Sequence, residues 1–473
     1  MQPRLALLIL ATAFLFTSPG ENTRPQSTSD ASLNAVRASD QIDRAGKSKV
    51  VTQITAAEHM RRAGVYMANR AFAPARDHWQ AVLSEYPNDS SVPAAIFGIA
   101  RSYYQERRYE DARQMYERVA HDYPETKEGR EGSNFAASSL LRMGKGADAA
   151  ARYIQYIDKY PNGERLDTAH LNVIDGYREA GRPQDAILWI DRTRQKFAGT
   201  PTETSAISAR LRLDIALGDW NHAVQSADEI LQKPINKAAN TTADEVLYLK
   251  AHALERAGRL QDAVRFFSMI PDSLNSYYGG LATGRLAAIA DAGAKQRAAE
   301  RSRSVQAEIG RTSGDYPAAF AVQVAREAKK RALDPRLVLA IMKQESQFKP
   351  GAKSPAAARG LLQLTTDAAQ KYASRAGLRV TDESLYQPAT NIAVGAEYMA
   401  ELSRMFAGLP EAIAASYNGG EDNVARWLGR TNQSDAGVFT AEVGFTESKN
   451  YVFKVMSFYR AYKQLFDANL NRR

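Results

Sequence analysis

The chain has 473 residues, 44% hydrophobic and 24% charged, with a formal net charge of +9. That balance is globular and excludes a mostly disordered, collagen-like or multi-span membrane protein, and the basic excess favours an anionic partner or surface. There is no cysteine, so disulfides, thiolate chemistry and cysteine-based zinc sites are excluded, and six scattered histidines make no His-rich metal site.

Arg4 precedes an apolar run from Leu5 to Phe16, followed by Thr17, Ser18, Pro19 and Gly20. This is the order of a secretory signal. Twelve apolar residues rise only ~18 Å as a helix against a ~30 Å hydrocarbon core, so a membrane span is the weaker reading. Residues 1–20 are therefore expected to be a cleaved signal, with no stable membrane span in the mature chain. Residues 21–54, rich in Ser, Thr, Asn and charge, read as a flexible leader.

A repeat follows over 55–270. Ala75, Ala112, Ala149, Ala186 and Ala223 recur every 37 residues, as do Tyr86, Tyr123, Tyr160 and Phe197, and Pro87, Pro124 and Pro161. Each unit reads as two amphipathic helices, with a small residue at their close approach, an aromatic closing the second helix and proline stopping it. In RRYEDARQMYERVAHDYP (107–124), Ala112, Tyr116 and Val119 fall on one helical face. GRLQDAVRFF (258–267) repeats the pattern at Ala263, three residues out of register. The stretch resembles tetratricopeptide repeats, with units slightly longer than the usual ~34 residues. Such pairs stack into a solenoid with a concave surface, which serves as a scaffold or binds a protein partner or an extended polymer. The segment SYYGGLATGRL (276–286) reads as an aromatic-to-helix junction. Residues 291–314, rich in Ala, Arg, Gln and Ser, show no clear apolar face, and 271–314 as a whole reads as a helical linker.

From Asp315 the pattern becomes denser. Asp334 and Pro335 form a cap and first-turn pair for a helix. Leu337, Ile341, Glu345 and Phe348 then lie at spacings of four, four and three, which puts Glu345 on the apolar stripe. Burial and the negative end of the helix dipole both disfavour its ionised form, which suits a general acid near neutral pH. Spacing alone also allows a glutamate that turns to solvent at a helix end. Glu447 and Tyr451, four apart, share one helix face. Val452, Val455, Tyr459, Tyr462 and Phe466 form a stripe that anchors that helix. Tyr417 and Tyr451 taken alone read as packing residues with bonded hydroxyls.

Four blocks then occur in order: ESQFKPGAKSPAAARGLLQL (345–364), NIAVGAEYMAEL (391–402), AIAASYNGGEDNVARWL (412–428) and FTESKNYVFKVMSFYRAY (445–462). Together they resemble the motifs of the soluble lytic murein transglycosylase family. The resemblance covers 315–473 and extends weakly to SYYGGLATGRL, which looks like the segment closing the helical solenoid in family members. It implies an all-α architecture, a helical-repeat solenoid followed by a lysozyme-like, mainly α catalytic domain over 315–473. By resemblance, Glu345 matches the catalytic acid and base. Ser354 and Gln363 match residues that hydrogen-bond the glutamate or the sugar. Tyr417 and Asn418 match the active-site Tyr-Asn pair, and Glu447 and Tyr451 a cleft pair on the last helix. The chain departs from the family pattern where Ala357 replaces a usual Gly, Leu362 a Met and Thr366 a Pro. Gly444 stands where Pro is common, and Ser448 and Lys449 replace Thr-Arg. Ala357 bears on the loop if that position needs a positive φ, and Lys for Arg loses a bidentate fork.

The reaction implied is cleavage of the β-1,4 bond between N-acetylmuramic acid and N-acetylglucosamine in peptidoglycan. Glu345 donates a proton to the glycosidic oxygen, the sugar's N-acetyl oxygen stabilises the developing cation, and the muramoyl C6 hydroxyl attacks C1 to give a 1,6-anhydro end. This substrate-assisted route needs one carboxylate rather than two. No metal, nucleotide or other cofactor is required, and nucleic acid is not an expected partner. The glycan strands of a periplasmic wall are. Two alternatives differ in class. A lysozyme-like hydrolase would use Glu447, Asp382 or Glu383 as a second carboxylate, and a non-enzymatic repeat scaffold would only bind wall.

Overall fold

A computed structural model describes residues 28–44, 54–431 and 435–473. Within them lie twenty-three α-helices and two short 3₁₀ segments, with isolated β-bridges only among the described residues. The expected all-α architecture is what is observed. The proposed signal, residues 1–20, lies outside the described residues.

Six helix pairs build the solenoid, from Ala56–Ala68 with Phe72–Glu85 to Ala243–Arg256 with Leu260–Met269. The period has a visible physical origin. Ala75, Ala112, Ala149, Ala186 and Ala223 are each fully buried where paired helices meet, and the out-of-register Ala263 is too. Tyr86, Tyr123, Tyr160 and Phe197 are the C-caps of the second helices of the first four pairs. The turn inside each pair is closed the same way. Ala71, Arg108, Lys145, Arg182, Asp219 and Arg259 donate their amide N–H to the carbonyls of Tyr66, Tyr103, Leu140, Tyr177, Asp214 and Leu254 at 2.9–3.0 Å. This six-to-one bond requires a left-handed residue just before the donor. That residue is Arg70, Arg107, Gly144, Gly181, Gly218 or Gly258, with φ between 59° and 77°.

The leader departs from expectation. Thr28–Arg44 is a helix rather than a flexible tether. Leu33 and Val36 are buried in the first-pair core, and Asp40 accepts hydrogen bonds from Arg62 at 2.6 Å and from the Tyr66 hydroxyl. A polar-rich sequence hides such a helix because two apolar residues and one buried carboxylate suffice to dock it.

The stretch 271–314 is helical, as expected, but the Ala292–Arg311 helix does have an apolar face. Ala294, Ala298, Val305 and Ile309 are buried at spacings of four, seven and four. They belong to one continuous core that runs from Tyr248 through the linker to Leu470. Tyr277 and Tyr278 of the SYYGG segment are buried, and their hydroxyls bond to Thr440 Oγ1 at 2.8 Å and the Gly437 carbonyl at 3.2 Å. Gly279 leaves no room for a side chain, since a Cβ there would stand 2.1 Å from the Pro271 carbonyl oxygen.

The C-terminal domain is pinned to the solenoid by ion pairs. Arg178 and Glu442, both almost fully buried, pair bidentately. Burial works against the Glu442 carboxylate, but Arg178, Arg212 and Arg430 outweigh it and hold its pKa at about 2. Lys449 Nζ lies 3.1 and 3.0 Å from Glu245 Oε1 and Oε2 and also reaches the Asn240 and Ala441 carbonyls. The lysine standing for a family arginine thus keeps a buried ion pair, through four point contacts instead of a fork. At the far end, Arg70 of the first pair forks onto Asp367 at 2.7–2.8 Å. The first pair of the solenoid thereby meets the C-terminal domain, closing the chain on itself.

Candidate active site

The Pro335–Ser346 helix opens as its sequence dictates, with Asp334 accepting from the Arg336 amide N–H and Pro335 in the first turn. Leu337 and Ile341 are buried on its stripe. Glu345 follows in the last turn, before Gln347 and Phe348 turn left-handed (φ 49° and 63°) and end the helix. The principal packing partner of this helix is Thr446–Leu465. Val452, Val455, Tyr462 and Phe466 of the expected stripe are buried. Half-buried Tyr459 instead donates its hydroxyl to the capping Asp334 at 2.8 Å.

That contact brings Tyr451 to Glu345. The Tyr451 hydroxyl donates to Glu345 Oε1 at 2.6 Å. Only part of Glu345 reaches solvent. Burial raises its pKa to about 8, the Tyr451 bond opposes the rise and the Glu447 charge adds to it. At neutral pH Glu345 therefore carries a proton it can give away. Tyr451 is driven well above the ordinary tyrosine range by burial, with the Glu345 charge adding to the effect, so it remains a donor.

Glu447 faces Asn418. The Asn418 amide donates to Glu447 Oε1 at 3.4 Å, and Ser448 Oγ donates to Asn418 Oδ1 at 2.6 Å. That bond comes from the serine at the position where the family pattern has threonine. Tyr417 is next in the chain, and its hydroxyl donates to the Leu362 carbonyl at 2.8 Å. The end of the Pro410–Gly419 helix is thereby tied to the loop after Glu345.

That loop carries Ser354 and Gln363. Ser354 Oγ accepts from the Ala358 amide at 3.1 Å, and Gln363 Nε2 donates to the Ala352 and Gly360 carbonyls at 3.0 and 2.8 Å. Both side chains bond within the loop rather than to Glu345. Ala357 does hold a positive φ, 60°, so the alanine in place of glycine is a strained residue. Gly360 is irreplaceable on steric grounds, because a Cβ would lie 2.2 Å from the Leu385 carbonyl oxygen.

Several supporting residues escaped sequence reasoning. Asn391, fully buried, accepts from the Leu362 amide and donates to the Arg359 and Leu385 carbonyls, all within 2.9 Å. Its place at the head of the NIAVG block is the one signal that marks it. Ser346 Oγ donates to the Leu361 carbonyl at 2.7 Å, and the Tyr398 ring packs on Tyr417 at 5.3 Å. Of the other carboxylates weighed for a hydrolase, Asp382 accepts from Thr366 and lies 3.5 Å from Arg359. Glu383 is exposed. Among the described residues no group of three or more His, Asp and Glu is placed to hold a metal ion.

Residues 323–439 match the family described as Transglycosylase SLT domain, and residues 94–126 match a tetratricopeptide repeat. The soluble lytic murein transglycosylase of Salmonella typhimurium is 31% identical over 172 residues, 34% of this chain and 26% of that protein. The membrane-bound lytic murein transglycosylase C of Salmonella arizonae is 31% identical over 163 residues, 30% of this chain and 45% of that protein. The chain thus spans about a quarter of the soluble relative and under half of the membrane-bound one. A solved inactive mutant of lytic transglycosylase Slt from Pseudomonas aeruginosa aligns over 93% of this chain and 86% of its own. The TM-score there is 0.48 and the identity 15%.

Proposed function

We propose that this chain, which carries a transglycosylase SLT domain behind tetratricopeptide-like repeats, is a peptidoglycan lytic transglycosylase. It cleaves the β-1,4 bond between N-acetylmuramic acid and N-acetylglucosamine without water, leaving 1,6-anhydromuramoyl ends. The observation that carries this reading is a largely buried carboxyl at a helix end, bonded by the Tyr451 hydroxyl at 2.6 Å, whose burial raises its pKa to about 8. Such a group is protonated before the reaction, donates to the glycosidic oxygen, and as a carboxylate recovers the proton of the C6 hydroxyl. Tyr451 stabilises the carboxylate between the two transfers. In this reading Tyr417, Asn418 and Glu447, with Ser354 and Gln363 of the loop after Glu345, contact the sugar.

The catalytic part, residues 315–473, carries 21 basic and 16 acidic residues, which suits a wall polymer bearing carboxylates. The signal-like N-terminus supports a periplasmic site of action. Among the described residues no helix is long and apolar enough to cross a membrane. The repeat surface is offered to glycan or to a protein partner. The test is mass spectrometry of soluble products from purified sacculi. Wild type should release anhydro-muropeptides, and Glu345→Gln should bind wall and release none. Products one water heavier would assign a hydrolase, with Glu447 as the second carboxylate. Undiminished release by Glu345→Gln would remove Glu345 from the chemistry.

A further inference from the structure

The turn that closes each solenoid pair needs a left-handed residue, and glycine fills it at 144, 181, 218 and 258. At 144 and 181 a Cβ would meet open space, so glycine stands there for its backbone and not for lack of room. The first two turns break the rule with Arg70 (φ 59°) and Arg107 (φ 63°). Both arginines make forked ion pairs with the catalytic domain. Arg70 takes Asp367 at 2.7–2.8 Å. Arg107 takes both oxygens of Glu421, one at 2.7 Å.

The acids that they hold are placed to matter. Asp367 opens the Thr366–Ala373 helix, three residues after the loop that carries Gln363. Glu421 opens the Glu421–Gly429 helix, directly after Tyr417, Asn418, Gly419 and Gly420. The Arg107 guanidinium lies against Gly420, 3.4 Å from where its Cβ would stand. Glu421 also takes a long 3.5 Å contact from the Tyr398 hydroxyl, and Tyr398 packs on Tyr417. Tyr109 adds a 3.0 Å bond to Asp422. The two strained turns therefore grip both segments that Tyr417 joins through the Leu362 carbonyl.

We propose that Arg70 and Arg107 are positioning residues, through which the solenoid holds the Gln363 loop and the Tyr417–Asn418 helix end in register with Glu345. The proposal rests on the transglycosylase reading above. Backbone strain is accepted at just these two turns because only a side chain can reach across to the catalytic domain.

The experiment uses the full chain with Arg107→Gly, Arg70→Gly, and the charge swap Arg107→Glu with Glu421→Arg. Glycine restores the backbone of the other turns, so the solenoid should keep its thermal midpoint. Anhydro-product release should fall about ten- to a hundredfold in kcat with KM little changed, as expected for misplaced reacting groups. The charge swap should recover most of the loss. Unchanged kcat in both glycine variants, or a loss matched by unfolding, overturns the proposal. Should wild type release no anhydro product, the functional reading fails by itself. The clamp is then decided by hydrogen exchange of amides 415–421, faster in Arg107→Gly if it holds and unchanged if it does not.

Discussion

Replacing Glu345 by glutamine should make the protein more stable, and increasingly so as the pH rises. The carboxyl has a pKa of about 8 in the folded chain against an ordinary 4.5. Between those values the folded state binds more protons at this site than the unfolded state. Stability therefore falls with rising pH across that window, by about 1.4 kcal/mol per unit. The accumulated cost is about 3 kcal/mol at pH 7 and about 5 kcal/mol above pH 8. Glutamine fills nearly the same volume, accepts the Tyr451 hydroxyl bond and never ionises. Thermal midpoints of wild type and Glu345→Gln, measured side by side from pH 4.5 to 9, isolate the effect, because other titrating groups cancel in the difference. The gap should be small at pH 4.5, widen through neutrality and level off above pH 8. A gap that stays constant over that range would falsify the raised pKa, and with it the reason for a protonated acid at neutral pH.

Three other outcomes follow from the same geometry. Tyr451→Phe removes the one hydrogen bond that pulls the Glu345 pKa down, so the alkaline limb of the rate profile should move above pH 8 while the rate drops; a limb moving to lower pH contradicts the assigned bond. Ala357→Gly relieves a left-handed backbone worth about 1–2 kcal/mol and gives up a buried methyl worth about 0.8 kcal/mol. Chemical denaturation should find it level with wild type or up to about 1 kcal/mol more stable. Glu442→Gln strands buried Arg178 and the neighbouring Arg212 and should cost about 3–5 kcal/mol, read as a lower unfolding midpoint near pH 7; a near-neutral result would show the arginines finding other acceptors.

How much of this was legible depended on the range of the interaction. The 37-residue register and the Glu345 stripe are local periodicities, and Ala75 through Ala223 are fully buried. Glu447 and Tyr451, read as one helix face, do reach Asn418 and Glu345 respectively. Contacts between residues remote in sequence were not legible. Arg107 and Glu421 are 314 positions apart, and no local pattern marks either as a partner. The docked helix Thr28–Arg44 was missed because its composition is that of a solvated segment, while its placement depends on Arg62 and Tyr66 receiving Asp40. Ser354 and Gln363 stand in the first motif block, but whether a polar side chain there bonds its own loop or its neighbour is set by turn geometry. At Ala357 the concern raised by a missing glycine proved physical, since the positive φ is there without it.

The single core running from Tyr248 to Leu470 bears on how this protein is cut and borrowed. A gene fragment beginning at residue 315 follows the motif boundary, yet it would strip Tyr277, Tyr278, Ala294 and Ile309 from the apolar surface they cover. Such a fragment is an exposed interface rather than an enzyme cassette, prone to aggregate on expression. Grafts, truncations and recombination between relatives should carry at least the last repeat, from Ala243, with the active site, and should keep matched partners for Glu442, Val438 and Ala441, which pair with Arg178 and pack on Ile207 and Leu211 further upstream.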